Sequence, residues 1–221
     1  MSRLEPLFAP RGIAVVGASR DPAKLGAVMA RSLRRFPGPV AGVNPRDADP
    51  AAGRYASVAD AAAASSVPID LAILCVPAAV SAQALTDAAA AGVRAALVCS
   101  GGYAESGGPG VGYQRDLVTA ARGADVALLG PNTSGFFVPR QDLTASFVPG
   151  AAVVEAGPVA VVAASGGVNH ALSFLLAEAD LGVSLAVGLG NAWRPECEGL
   201  YRRRLIPGGV GLSAFVTDWR R

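Results

Sequence analysis

Residues Val15 to Gly26, VVGASRDPAKLG, run from an apolar β-branched stretch into a glycine-marked turn and then a helix. Such a turn suits a phosphate. Gly17 lets the backbone approach a ligand closely, and the helix start beyond it offers free N–H groups and the positive end of a dipole. Ala18 and Ser19 complete the turn, and Arg20 and Lys24 add cations to it. Ser19 stands where the dinucleotide fingerprint G-x-G-x-x-G needs its second glycine, so that fingerprint is not met. A second candidate group is GVNPRD, residues 42–47, at the end of the next strand. NAD-binding folds place an Asp or Glu there for the ribose hydroxyls. Here Arg46 presents a cation instead, which suits a ribose carrying its own phosphate, as in NADP or coenzyme A.

Three more strand ends carry marked residues: Val76-Pro77, then Ser100-Gly101 in CSGGYAESG, then Pro131-Asn132 in GPNTSG. Proline fits the first turn of a following helix. The same positions can present a backbone edge to an adenine or a pantetheine arm. Consecutive strand ends so marked by Gly, Pro, Ser or Asn exceed what turn chemistry alone requires.

The elements that must position these residues follow from the apolar pattern. Strands are expected near Gly12–Val16, Pro39–Val43, Asp70–Val76, Arg94–Cys99 and Asp125–Leu129, with helices near Lys24–Arg35, Ser57–Ala64, Val80–Ala91 and Gln114–Arg122. The strands read as continuous Val, Ile, Leu and Ala rather than alternating, as in a sheet covered on both faces. Strand–helix alternation of this kind predicts an α/β fold, a doubly wound parallel sheet. After a Pro/Gly-marked connection at residues 130–150, PVAVVAA starts a further strand–helix–strand unit. The expected organisation is a Rossmann-like domain over 1–154, the start of a second α/β domain over 155–192, and a divergent Arg-rich tail over 193–221 without strand–helix rhythm.

The 221 residues are 52% hydrophobic and 16% charged, which predicts a sizeable buried core rather than global disorder. No apolar run approaches the roughly 18 residues of a membrane span, and no signal peptide is visible. A net charge of +2 argues against nucleic acid as a bulk electrostatic partner. Cys75, Cys99 and Cys197 are an odd count without metal spacing, which fits a reducing cytoplasm.

The ordered set LFAPRGIAVVGASRDPAKLG, VNPR, VPA, SGGYAESG, GPNTSG and AASGG resembles the CoA-binding α part of the NDP-forming acyl-CoA synthetases. These are relatives of the succinyl-CoA synthetase α subunit, and the resemblance runs from about Leu4 to Asn191. It implies a Rossmann-like CoA-binding domain followed by a flavodoxin-like one, here incomplete. The implied chemistry joins an acid to CoA at the expense of a nucleoside triphosphate, through an acyl phosphate and a phosphohistidine. By resemblance, Gly17, Ala18, Ser19, Arg20 and Lys24 line the nucleotide part of CoA, and Arg46 faces the 3′-phosphate. Val76, Pro77, Ser100 and Gly101 flank adenine and pantetheine, and Pro131 and Asn132 lie near the thiol.

Ser165 and Gly166 match the helix start that binds the transferred phosphoryl group, which is sound chemistry for an anion. The phosphohistidine loop, its orienting carboxylate and the nucleotide-grasp partner that would bring a magnesium nucleotide are not matched. The chain is expected to end or diverge before that loop. His170, the only histidine, matches a substrate-side position. It is expected to be a partly exposed residue pointing away from an apolar face of Val168, Leu172, Leu175 and Leu176, to line the acyl-phosphate site, or to be phosphorylated itself. Two other readings stand beside this one: a CoA-binding module without catalysis, and an NADP-dependent oxidoreductase. Against the last stand Ser19 and the lack of a hydride-transfer acid or base in the second half.

Overall fold

The computed structural model describes residues 3–191 and the backbone of a strand at 213–216. The first sheet contains β1 (Ile13–Val16), β2 (Val40–Val43), β3 (Arg54–Tyr55), β4 (Leu71–Leu74), β5 (Ala95–Val98) and β6 (Ala127–Leu129). All pairings are parallel, and the order is β3-β2-β1-β4-β5-β6. The order therefore reverses direction at β1, so a crevice opens between the carboxyl ends of β1 and β4. The five expected strands are present. β3 was not expected, because two residues of Arg-Tyr carry no apolar run.

Both faces of this sheet are covered, which explains the unbroken apolar strands. Ala14, Ala72, Leu74, Ala96 and Val98 pack against α3 (Val58–Ala64), α4 (Ala78–Ala90) and α5 (Pro109–Gly123) through Val58, Leu85, Leu117 and Ala121. The alternate residues Ile13, Val15, Leu71, Ile73 and Leu97 meet α1 (Glu5–Phe8) and α2 (Leu25–Ser32) through Phe8 and Met29. α3 starts where its sequence says it should. Ser57 accepts from the Asp60 N–H and Asp60 reaches back to the Ser57 N–H, a reciprocal cap of about 1 kcal/mol.

The second sheet is mixed. β9 (Ala156–Ala163), β10 (Val183–Gly188) and β11 (Ser213–Val216) are parallel, while β7 (Gly135–Val138) runs antiparallel to β10 and β8 (Leu143–Ser146) antiparallel to β7. α6 (Gly166–Glu178) connects β9 to β10. Residues of this sheet, Phe136, Leu143, Ala145, Leu185 and Val187, share one core with the α1/α2 face of the first sheet. Phe8 and Phe136 meet edge to face at 5.1 Å and 86°, a geometry contributing about 1 kcal/mol beyond the area it buries.

Three expectations differ from this structure. The stretch read as a connection over 130–150 contains the β7–β8 hairpin. Its strands are four residues each, flanked by Gly and Pro, and become strands only because β10 supplies a paired edge. The tail, expected to lack strand rhythm, contributes β11 against the open edge of β9. The remainder of that tail, with Cys197, both tryptophans and Arg202 to Arg204, lies outside the described residues. Finally, the buried side of α6 is polar. Asn169, His170 and Ser173 are buried, whereas Leu175 is 60% exposed.

Candidate functional site

The turn after β1 is built tightly. Gly17 has φ +88°, a left-handed conformation, and a Cβ there would lie 2.5 Å from the Cys75 carbonyl oxygen. The N–H groups of Gly17 and Ala18 donate to the Val43 carbonyl at 2.9 and 3.2 Å. Ala18 is buried, and Ser19 is half-buried, its hydroxyl accepting the Asp21 N–H at 3.1 Å. Lys24 is exposed and forms the cap of α2, with no ion pair among the described residues. Gly26, on the first turn of α2, comes so near the Gly17 carbonyl that a Cβ would lie 2.1 Å from its oxygen. It provides the close helix–turn packing that a third fingerprint glycine would give, at a spacing the motif does not cover.

Across the crevice, Asn44 donates through Nδ2 to the Ala18 carbonyl at 2.7 Å and accepts the Arg46 N–H at 3.0 Å. Arg46 itself is exposed, and its guanidinium has no partner among the described residues. Arg20 does not supply the free charge expected of it. It grips Asp47 through two nitrogens, Nε at 2.9 Å and one terminal nitrogen at 2.5 Å. Arg54 stands 3.7 Å from the same carboxylate. The carboxylate beside the end of β2 is thus engaged by arginines.

Val76 is half-buried, and Pro77 is exposed as the residue capping α4 rather than one in its first turn. The Ser100 hydroxyl donates to the Val76 carbonyl at 3.3 Å, joining the β4 and β5 ends. A Cβ on Gly101 would lie 3.8 Å from the Asn132 side-chain oxygen, so those loops adjoin. Pro131 is buried and Asn132 exposed, with a left-handed φ of +58° and its N–H on the Ser100 carbonyl at 3.1 Å. The candidates after β1, β2, β4, β5 and β6 therefore all lie at the carboxyl ends of the strands of one parallel sheet.

Ser165 and Gly166 start α6. Ser165 is exposed and caps the helix through the Val168 N–H at 3.5 Å, while Gly166 abuts the Ser134 side chain. His170 is buried, 4% exposed, which corrects the expected partly exposed position. Its Nδ1 lies 2.8 Å from the Gly166 carbonyl and its Nε2 3.1 Å from the Ser146 hydroxyl. A carbonyl only accepts, so Nδ1 carries a proton. Burial pushes this imidazole below its ordinary pKa, although the Gly166 carbonyl favours the cation. On this face Ser146 of β8 meets His170 and the Ser134 side chain abuts Gly166, while Leu172, Phe174 and Leu176 of the same helix pack against Phe137 and Val161. Fully buried Asn169 has no hydrogen-bond partner for its amide among the described residues.

A CoA binding domain model matches residues 11–139, more than half of the chain. The chain belongs to the CoA-binding domain family. It is 32% identical over 192 residues to the α subunit of acetate–CoA ligase (ADP-forming) II of Pyrococcus furiosus, a match covering 85% of this chain and 40% of that subunit. It is equally 32% identical to acetate–CoA ligase (ADP-forming) I of Archaeoglobus fulgidus, covering 27% of that protein. The chain thus spans about 40% of the P. furiosus subunit it matches. Among solved structures, the dinucleotide-forming acetyl-coenzyme A synthetase 1 of Ca. Korarchaeum cryptofilum, in complex with phosphate and ADP, superposes with a TM-score of 0.75 at 35% identity. That match covers 85% of this chain and 39% of that one. An ATP citrate lyase of Methanothrix soehngenii shares the fold at a TM-score of 0.62 and 19% identity.

Several residues around the crevice and its loops are poorly signalled by the sequence. Gly26 could have been found by extending the fingerprint spacing. Asp47 was visible, but its pairing with Arg20 joins two loops 27 residues apart. Asn191, which bonds Asn132, and Glu105 and Gln114, which bond Asn191, carry no local signal.

Among the described residues no helix is long and apolar enough to cross a membrane, and no cluster could hold a metal ion.

Proposed function

We propose that this chain supplies the CoA-binding part of an NDP-forming acid–CoA ligase, acting in the cytoplasm on acid, CoA and nucleoside triphosphate to give acyl-CoA. The observation that carries the reading is the pairing of charges at the crevice. A dinucleotide with a bare ribose needs a free carboxylate at the end of β2. Asp47 is taken by Arg20 and Arg54, Asn44 is spent on backbone groups, and Arg46 has no partner among the described residues. That charge distribution favours an adenosine phosphorylated on its sugar.

In this reading Gly17 to Arg20 and Lys24 border the diphosphate, and Arg46 meets the 3′-phosphate. Val76, Pro77, Ser100 and Gly101 border adenine and pantetheine, and the thiol ends near Pro131 and Asn132. Ser165 and Gly166 hold the phosphoryl group in transit at the start of α6, where backbone N–H groups and the dipole favour an anion. His170 is not the phosphorylated residue: it is buried, and both ring nitrogens are engaged. The phosphohistidine and the magnesium nucleotide are then contributed by other parts, the latter by a nucleotide-grasp partner.

Calorimetric titration with CoA, NADP and NAD side by side tests the ligand. Binding of CoA alone is expected, and preference for NADP would overturn the reading. Incubation with labelled ATP is expected to leave no acid-labile label on the chain.

A further inference from the structure

Asn191, just beyond β10, joins parts of the molecule that the sequence separates widely. Its Nδ2 donates both hydrogens, one to the Glu105 carboxylate and one to the Gln114 side-chain carbonyl at 3.0 Å. Its Oδ1 accepts from Asn132 Nδ2 at 3.1 Å, and its backbone N–H donates to the Pro131 carbonyl at 2.8 Å. Every polar atom of the side chain is thereby committed. Glu105 is itself held: its other oxygen accepts the N–H groups of Gly102 at 2.7 Å and Tyr103 at 3.1 Å. Gln114, on α5, accepts the Ala104 N–H at 3.3 Å through the same oxygen that receives Asn191. The preceding Gly190 has φ +68°, and a Cβ there would lie 2.3 Å from the Pro131 carbonyl oxygen, so the end of β10 presses directly on the 131–132 loop.

We propose that Asn191 is a positioning residue, fastening the end of the second sheet to the loops beyond β5 and β6 and thereby fixing Asn132. This rests on the CoA reading above, which puts Asn132 at the thiol end of the ligand. The latch engages only the far end of the crevice. The nucleotide end, around Gly17, Arg20 and Arg46, shares none of these bonds. Loss of the latch should therefore weaken ligands that reach Asn132 and spare those that stop at the nucleotide.

The test uses the full chain, two ligands and a polarity swap. CoA spans the crevice; adenosine 3′,5′-bisphosphate fills only its nucleotide end. Asn191→Asp keeps the shape but replaces the donor with a carboxylate facing Glu105. It is expected to weaken CoA about tenfold while changing the bisphosphate less than about twofold. Adding Glu105→Gln restores a donor opposite the new acceptor, because Gln can still accept from Gly102 and Tyr103. The double variant should recover part of the CoA affinity and of the thermal midpoint lost by Asn191→Asp, the Gln114 carbonyl still facing the new carboxylate. Equal weakening of both ligands, or CoA binding unchanged by Asn191→Asp, would overturn the proposal. Failure of Glu105→Gln to rescue either property would overturn it too. Absence of CoA binding to the unaltered chain overturns the CoA reading and Asn191's role toward CoA together. The thermal midpoints of the single and double variants separate that outcome from failure of the latch itself.

Discussion

Replacing Gly26 with alanine sets two opposite effects against each other at the phosphate turn. In an unobstructed helix, Gly→Ala stabilises by up to about 1 kcal/mol. At Gly26 the added Cβ would lie 2.1 Å from the Gly17 carbonyl oxygen and 3.0 Å from the Ala18 Cα. Both neighbours are backbone, pinned by hydrogen bonds from Gly17 and Ala18 to Val43. The start of α2 must therefore retreat by close to an ångström. Such overpacking costs about 1–3 kcal/mol, which exceeds the propensity gain. We expect a net loss near 1 kcal/mol, a fall of roughly 2–4 °C in Tm for a chain of this size. CoA binding should weaken as well, because the N–H groups of α2 move off the turn. Gly112, in α5, is the control: its nearest neighbour to an added Cβ is a flexible Arg115 nitrogen at 4.0 Å. Gly112→Ala should gain up to about 1 kcal/mol and leave CoA affinity unchanged. Urea unfolding and calorimetry on both variants give the answer. A stabilised Gly26→Ala chain with wild-type CoA affinity would refute the close-packing argument.

Arg46→Ala should weaken CoA more than dephospho-CoA, by about 1 kcal/mol because the side chain is exposed and screened; equal loss for both ligands would mean that Arg46 does not read the 3′-phosphate. Asp70, buried at the start of β4, binds Arg11 at 2.7 Å through each oxygen, and those hydrogen bonds hold its carboxyl below the usual carboxylate range despite burial. Its contribution is complete above the ordinary Asp value near 3.9 and is lost as pH falls through the lower folded value. Urea midpoints from pH 6 to 2 should thus fall more steeply for the wild type than for Asp70→Asn. For His170 the sign is that of a depressed base: below about 6.5 the unfolded chain takes a proton before the folded one does, so acidification destabilises. As the only histidine it gives a single imidazole resonance set by NMR, and a midpoint at or above 6.5 would contradict its burial.

Much of this protein is legible in one dimension. Unbroken runs such as LAILCV and AALVC could only be strands covered on both faces, and their alternation with helices specified a parallel sheet. Ser57 and Asp60 announced the start of α3, and Gly17 the turn after β1. These are local rules, in which periodicity, caps and turns act between residues a few positions apart. The cation at Arg46 was visible for the same reason.

Other features depended on residues far apart in the chain. Arg20 looks like Arg46 in sequence, yet it is neutralised because the fold brings Asp47 against it. FFV and LTAS become a hairpin because β10 lies alongside, and His170 is buried on α6 where the fold brings Ser146 against it. Asn191 has no meaning until β10 delivers it to Glu105, 86 positions away. Sequence settles what a segment prefers by itself. Only tertiary packing decides which charges are cancelled and which polar atoms are shared, since those energies arise between groups that the chain does not place together.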